Sequence, residues 1–106
     1  MLAWVKNREH LSEAKAKHKD YYVLVFWAAF SEAAQRALGE LKQFCEDYKK
    51  IPLFVVDVEK VKGLHKEYDV GNVPSVLVMK HGKEHDRIEG VESAAFYAVA
   101  IGGASP

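Results

Sequence analysis

Apolar residues follow two different patterns along the chain, and each pattern predicts one type of element. Residues 21–27 (YYVLVFW), 53–58 (LFVVDV) and 73–80 (VPSVLVMK) are apolar at nearly every position. Runs of this kind are typical of strands that are covered on both faces. Residues 32–49 instead carry apolar side chains three and four positions apart. That spacing predicts a long amphipathic helix.

Shorter patterns predict the remaining elements. Gly82 marks a tight turn between two strands. Trp4 and Val5 leave two alternatives open, a short edge strand and the lead-in to a helix. Further elements are expected at residues 7–18 (helix), 59–67 (helix), 84–89 (strand) and 92–101 (helix). Helices and strands are therefore predicted to alternate until the last two strands, which follow each other directly.

The order of these elements predicts the fold class. Strands that are joined by helices pair in parallel, whereas two strands joined by a tight turn must be antiparallel. We therefore expect an α/β fold with a central mixed β-sheet that is flanked by helices on both faces. The length of 106 residues is that of one ordinary domain. A single domain is accordingly expected over residues 1–106.

Composition limits the function classes. Fifteen basic residues balance fifteen acidic ones, so no overall field favours nucleic acid or an anionic membrane as a partner. The single cysteine, Cys45, excludes an internal disulfide framework and a multi-cysteine metal site. The histidines are scattered over the predicted elements, and we expect neither a metal nor a cofactor. They are His10, His18, His65, His81 and His85.

Hydrophobic segments bear on the location of the protein. No stretch approaches the roughly 20 apolar residues that span a bilayer. The first residues also lack an apolar run of signal-peptide length. The expected location is therefore the cytoplasm, although a piece of a longer protein would have the same features.

Two segments resemble the thioredoxin family. VLVFWA at residues 23–28 is similar to the strand that leads into the thioredoxin active site. YDVGNVPSVLVMKHGK at residues 68–83 is similar to the segment that holds the family's cis-proline. The positions in register with the family are Trp27, Pro74, Gly82 and Gly90. The resemblance extends over residues 8–101 and implies a thioredoxin fold.

The redox motif of that family is missing from this chain. Thioredoxins carry Trp-Cys-Gly-Pro-Cys where this chain has Phe30, Ser31, Glu32, Ala33 and Ala34. Disulfide exchange needs a thiolate nucleophile and a second thiol that resolves the mixed disulfide. We therefore expect a redox-inactive domain with no catalytic residue in this degenerate motif. Ser31 is instead expected to cap the helix that follows it.

Two further observations agree with a loss of redox chemistry. By resemblance, the buried Asp–Lys pair of the family aligns with Val25 and Leu53, and two apolar residues avoid the cost of a buried ion pair. This change favours a natural loss over cysteines that were replaced by design. Cys45 lies 14 residues beyond Ser31 on the same predicted helix. The two are therefore roughly 21 Å apart, at about 1.5 Å per residue.

The resemblance also implies a peptide-binding surface. The Val73–Pro74 bond is expected to be cis and to lie opposite the Ser31 turn, and in thioredoxins the backbone before this proline pairs with an extended substrate peptide. The matching surface comprises Trp27, Phe30, Val73, Pro74 and Gly90. Free backbone groups beside apolar side chains suit the addition of a peptide strand. We therefore expect a protein or peptide as the partner.

Three alternatives remain open. Trp27 and Pro74 could serve only to hold the fold. The chain could be a thioredoxin-type thiol–disulfide oxidoreductase, active in cell redox homeostasis, whose cysteines have been replaced. It could also be a purely structural domain of a larger assembly.

Overall fold

The computed structural model describes residues 1–105, which form a five-stranded sheet and four helices. The strands are β1 (Leu2–Trp4), β2 (Tyr21–Trp27), β3 (Leu53–Asp57), β4 (Ser75–Lys80) and β5 (Lys83–Glu89). The helices are α1 (Arg8–Lys17), α2 (Glu32–Asp47), α3 (Leu64–Glu67) and α4 (Ala94–Ala100), and a 3-10 turn follows at Gly102–Ala104.

The sheet is mixed, and its strand order is β1-β3-β2-β4-β5. β3 pairs in parallel with both β1 and β2, whereas β4 pairs antiparallel with β2 and β5. His81 and Gly82 join β4 to β5 with positive φ angles of 51° and 78°. Two such residues form the tight turn whose twist suits a hairpin. The predicted class, a mixed sheet with one final hairpin, is confirmed.

Side chains of the central strand β2 alternate between the two faces of the sheet. Val23 and Val25 pack in a cluster with side chains of α2 and α4, whereas Leu24 and Phe26 pack in a second cluster with side chains of α1 and α3. The helices contribute Leu38, Leu41, Phe44 and Tyr97 to the first cluster, and Leu11, Ala14 and Leu64 to the second. Ile101, directly after α4, also belongs to the first cluster. Because both faces are covered, the strand is apolar at every position.

The first strand settles the alternatives that the sequence leaves open for Trp4 and Val5. Leu2 lies opposite Leu53 in a parallel ladder, and the N–H of Val5 donates to the carbonyl of Val55 at 2.8 Å. The segment is therefore an edge strand. Its pairing partner stands about fifty positions away in the sequence, so no local pattern could identify it.

The helix expected at residues 59–67 is shorter than predicted and forms only as α3. After β3, the carbonyl of Asp57 accepts the N–H of Val61 at 2.9 Å and its carboxylate accepts the N–H of Glu59 at 3.0 Å, which closes one helical turn that does not continue. Gly63 then adopts a left-handed φ of 87° immediately before α3. The left-handed conformation of Gly63 separates the turn at Asp57 from α3, although the apolar spacing is compatible with one helix.

Two other elements begin later than predicted. The strand expected at residues 73–80 starts at Ser75, since Pro74 has no N–H to donate to a ladder. The helix expected at residues 92–101 starts after Ser93, whose hydroxyl accepts the N–H of the third residue beyond it at 3.1 Å. In both cases the element begins directly after a residue that limits it: Pro74 precedes the strand, and the capping residue Ser93 precedes the helix.

Within residues 1–105, no helix has the length and the apolar character that crossing a bilayer requires. The same part of the chain holds no group of three or more histidine, cysteine, aspartate or glutamate side chains arranged to bind a metal ion. His81 faces Asp20, with 3.6 Å between the imidazole Nδ1 and a carboxylate oxygen.

Truncation of a core side chain should destabilise the protein far more than truncation of an exposed one. Leu41 is fully buried, so Leu41→Ala is expected to lower the free energy of unfolding by about 2–5 kcal/mol. Val99 is 78% exposed, and Val99→Ala should change it by about 0.5 kcal/mol or less. Urea denaturation followed by circular dichroism measures both values. Equal effects would contradict the assignment of the core.

Candidate functional site

The turn between β2 and α2 is shaped by Ser31. Its backbone N–H donates to the carbonyl of Ala28 at 3.2 Å, and its side-chain oxygen accepts the N–H of Ala34 at 3.0 Å. The side-chain amide of Gln35 donates back to the carbonyl of Ala29. Ser31 is therefore the N-cap of α2, as the sequence predicts, and its hydroxyl is engaged in a structural hydrogen bond.

The side chains of this turn offer no thiol. Ser31 and Ala33 are half-buried, Glu32 is exposed in the first turn of α2, and Ala34 is fully buried. Glu32 suits that position because negative charge stabilises the N-terminal end of a helix. Ser31 is therefore the cap of α2, and Glu32, Ala33 and Ala34 belong to the first turn of the helix.

The residues aligned with the family's ion pair, Val25 and Leu53, lie in the same core cluster. Val25 lies opposite Val55 on β3, whereas Leu53 lies opposite Val23. Val25, Leu53 and Val55 are all buried. Both positions of the aligned pair are therefore apolar and lie in the interior of the protein.

The segment around Pro74 lies at the same end of the sheet as the turn. The Val73–Pro74 peptide bond is cis. The carbonyl of Pro74 accepts the N–H of Gly90 at 3.1 Å, and the hydroxyl of Ser75 donates to the carbonyl of Asn72 at 2.7 Å. These bonds fix the backbone on either side of Val73. Gly90 has a φ of 83°, which favours glycine at that position.

Val73 has backbone groups that are not used within the chain. Among residues 1–105, neither its N–H nor its carbonyl has a hydrogen-bond partner. Its side chain is half-buried and packs against the second core cluster. The side chain is thus anchored while the polar backbone stays available, which is the arrangement that strand addition needs.

Phe30 provides an exposed aromatic side chain at this end of the molecule. Its exposed fraction is 72%, the highest of the aromatic residues that the structure describes as exposed. It projects from the turn before Ser31, three residues beyond the end of β2. Phe30, Val73, Pro74 and Gly90 are referred to below as the Pro74 groove.

Trp27 has packing partners on the other side of the groove. Phe26 and Ser75 form the last pair of the ladder between β2 and β4. The next residue of β2 is Trp27, so its backbone approaches Pro74, the residue before Ser75. The indole ring packs edge-on against Trp4, with 5.1 Å between ring centroids. Both rings line an open cleft of about 670 Å³. A part for Trp27 in peptide binding stays a prediction, and Trp4 is a neighbour that sequence reasoning did not identify.

Cys45 lies near the far end of α2 and away from the turn. It is half-buried and packs against the first core cluster. Burial raises the pKa of its thiol, and the charge of the N-terminal ammonium opposes part of that rise. The side chain therefore has the surroundings of a small core residue and lacks those of an activated nucleophile.

Comparison with known proteins adds the family context. The family model described as Thioredoxin matches residues 3–100. Thioredoxin-2 of Saccharomyces cerevisiae is 24% identical over 95 residues, which are 90% of this chain and 91% of the yeast protein. The structure of Fasciola hepatica thioredoxin superposes with a TM-score of 0.85 at 17% identity, over 96% of this chain and 98% of that one. Reduced Schistosoma mansoni thioredoxin pre-protein gives a TM-score of 0.85 at 22% identity, over 96% of each chain. The thioredoxin fold predicted from the sequence is confirmed.

Cys45 should react slowly with iodoacetamide in the folded protein. The raised pKa leaves little thiolate at about pH 8, and the reaction should accelerate as the pH rises towards that pKa. In guanidinium chloride the thiol regains its ordinary pKa, so alkylation at the same pH should be faster. Mass spectrometry of timed samples measures both rates. Equal rates in the folded and unfolded protein would contradict this account.

Proposed function

The chain belongs to the thioredoxin family, and we propose that it is a redox-inactive member that binds an extended segment of a partner protein at the Pro74 groove. One observation carries this proposal. The backbone of Val73 is unpaired at the end of the sheet where the turn with the exposed Phe30 leaves β2, and this turn holds Ser31 and Ala34 in place of two thiols. A peptide-pairing edge is thus retained without the groups that would carry out disulfide exchange.

The lack of redox activity follows from the chemistry of the side chains. Exchange requires a thiolate that attacks a sulfur and a second thiol that releases the mixed disulfide. Cys45 is the only sulfhydryl in the chain, and it stands on α2 roughly 21 Å of helix beyond Ser31. The raised pKa of Cys45 further lowers its nucleophilic fraction at neutral pH. A single, distant and protonated thiol supports the view that no catalytic cycle operates.

The purified protein should not accelerate the reduction of insulin by dithiothreitol. The turbidity of the released insulin B chain is the measurement, with a dithiol thioredoxin as the positive control and Cys45→Ser as the matched variant. We expect this chain and Cys45→Ser to match the rate of dithiothreitol alone. Turnover near that of the positive control would contradict the redox-inactive part of the proposal and would leave the binding part to be tested separately.

Peptide binding at the groove is supported by the unpaired backbone of Val73. An extended peptide that aligned with this residue could donate one hydrogen bond to its carbonyl and accept one from its N–H. Each such bond contributes a net stabilisation of about 0.5–1.5 kcal/mol. The neighbouring bond from Gly90 to Pro74 holds the edge in place before binding, which limits the entropy that association would cost.

Phe30 supplies the apolar part of the surface. A phenylalanine side chain that passes from water to a buried state contributes about 1.5–3 kcal/mol. At 72% exposure, most of that contribution is still available to a partner. Aromatic residues at the centre of interfaces often carry much of the binding free energy, so Phe30 is the side chain whose change should reveal the site.

Phe30→Asp should weaken the binding of a peptide ligand by about thirtyfold, which corresponds to about 2 kcal/mol. Peptides selected from a random display library against the wild-type chain provide the ligand, and isothermal titration calorimetry measures the affinity. Phe96→Asp is the matched control, because Phe96 is an exposed aromatic (44%) on α4 that lies outside the groove. It should alter the affinity less than twofold. Loss of binding in both variants, or in neither, would contradict the proposed site.

The comparisons also favour a second candidate, since the similar yeast protein is a thioredoxin by name. In that case the natural sequence would carry cysteines at positions 31 and 34, and the present residues would be replacements. The buried Val25 and Leu53, which align with the family's Asp–Lys pair, argue against it, because replacement of two cysteines requires no change at the strands beneath them. Sequencing of the natural gene decides the matter. A purely structural domain would instead yield no selected peptide that depends on Phe30.

A further inference from the structure

Three loops meet at the end of the sheet that is opposite the Pro74 groove, and they are rich in lysine. They comprise residues 15–20, 48–52 and 80–83, where β2 and β3 begin and β4 ends. These loops hold seven lysines and one acidic residue, Asp20, although the whole chain is neutral. The lysines are Lys15, Lys17, Lys19, Lys49, Lys50, Lys80 and Lys83. This end of the molecule is referred to as the basic pole.

Hydrogen bonds hold the three loops together. The N–H of His81 donates to the carbonyl of Asp20 at 3.1 Å, and the N–H of Val23 donates to the carbonyl of Pro52 at 2.9 Å. The N-terminal ammonium donates to the carbonyl of Lys49 at 2.7 Å and so adds a further positive charge at this end. The lysines are therefore neighbours in space, although they are distant in sequence.

None of these lysines has an ion-pair partner among residues 1–105, although Lys15 donates a hydrogen bond to the hydroxyl of Tyr68 at 2.9 Å. The three ion pairs among residues 1–105 use Arg8, His81 and Arg87 as the basic partners, and none uses a lysine. Glu46 and Asp47, in the last turn of α2, reduce the excess charge by two. The C-terminal ends of α1 and α2 also point here and contribute about one negative charge together, so an excess of about four positive charges remains when the ammonium is included. The lysines therefore carry more positive charge than is needed to balance the negative C-terminal ends of the two helices.

A cleft lies among the lysines and has a mainly apolar lining. Its volume is about 520 Å³. Ala16 and Tyr22 contribute apolar surface, and Lys15, Lys19 and His81 contribute the basic groups. Asp20, whose carboxylate faces His81, is the acidic residue of the lining. The combination suits a ligand that carries negative charges on either side of an apolar group.

We propose that the basic pole binds an acidic segment of a partner protein, with an apolar side chain of that segment in the cleft and its carboxylates next to the lysines. The positive charge of the basic pole indicates an acidic ligand. The apolar lining of the cleft indicates that this ligand is a peptide with an apolar side chain. A flat lipid surface would neutralise the lysines but would leave the cleft unfilled. Lysine is a point charge that pairs with phosphates as well as with carboxylates, so the choice of a peptide over nucleic acid rests on the apolar lining of the cleft.

The test uses a fluorescein-labelled peptide in which leucines alternate with glutamates, and fluorescence anisotropy over a series of NaCl concentrations. The affinity should fall as salt rises, because exposed charges are screened. Lys19→Glu combined with Lys50→Glu should weaken binding about tenfold or more. The matched control combines Lys60→Glu with Lys62→Glu, which changes the same number of charges at the other end of the molecule and should weaken binding less than twofold. Thermal unfolding of each variant verifies that it is folded.

Four outcomes would overturn the proposal. They are equal losses in the two double variants, no loss in either, binding no tighter than that of a leucine–glutamine peptide, and tighter binding of phosphatidylserine vesicles or of duplex DNA. Phe30→Asp should bind the acidic peptide as the wild type does. This result separates the basic pole from the Pro74 groove, so that failure of one proposal does not decide the other.

Discussion

Burial of β2 on both faces is the constraint on which the rest of the structure depends. Its alternating side chains join the two core clusters, and its backbone pairs with β3 on one side and β4 on the other. Every other strand is therefore positioned directly or indirectly by this one. The seven residues span about 20 Å, and the two surfaces discussed here lie at its opposite ends.

At one end, the chain leaves β2 through the turn that Ser31 caps, and Pro74 ends the antiparallel ladder beside it. The result is a backbone segment at Val73 that has free polar groups between fixed neighbours. Thiol chemistry would need cysteine side chains, which this turn lacks. Strand addition needs only an edge with unpaired backbone N–H and carbonyl groups. Ser31 as a helix cap and the buried Ala34 are therefore compatible with the peptide-binding edge that we propose.

At the other end, the same strand begins among three lysine-rich loops. Charge is balanced over the chain but unevenly distributed in space, and this gives the two ends different recognition chemistry. The Pro74 groove offers backbone groups and an aromatic ring, while the basic pole offers point charges around an apolar cleft. The two proposals together describe a protein that holds two segments at once, without a chemical step.

The sequence by itself determined the features that depend on residues within one turn or one strand: the buried strands, the long helix, the cap at Ser31 and the absence of paired thiols. The tertiary structure decided what depends on distant residues, since pairing and exposure arise from contacts across the chain. It assigned β1 to an edge by its ladder with β3 and shortened α3 through Gly63. It placed Val25 opposite Val55 on the neighbouring strand. It also brought together, at one end of the molecule, lysines whose clustering cannot be seen from the balanced overall charge.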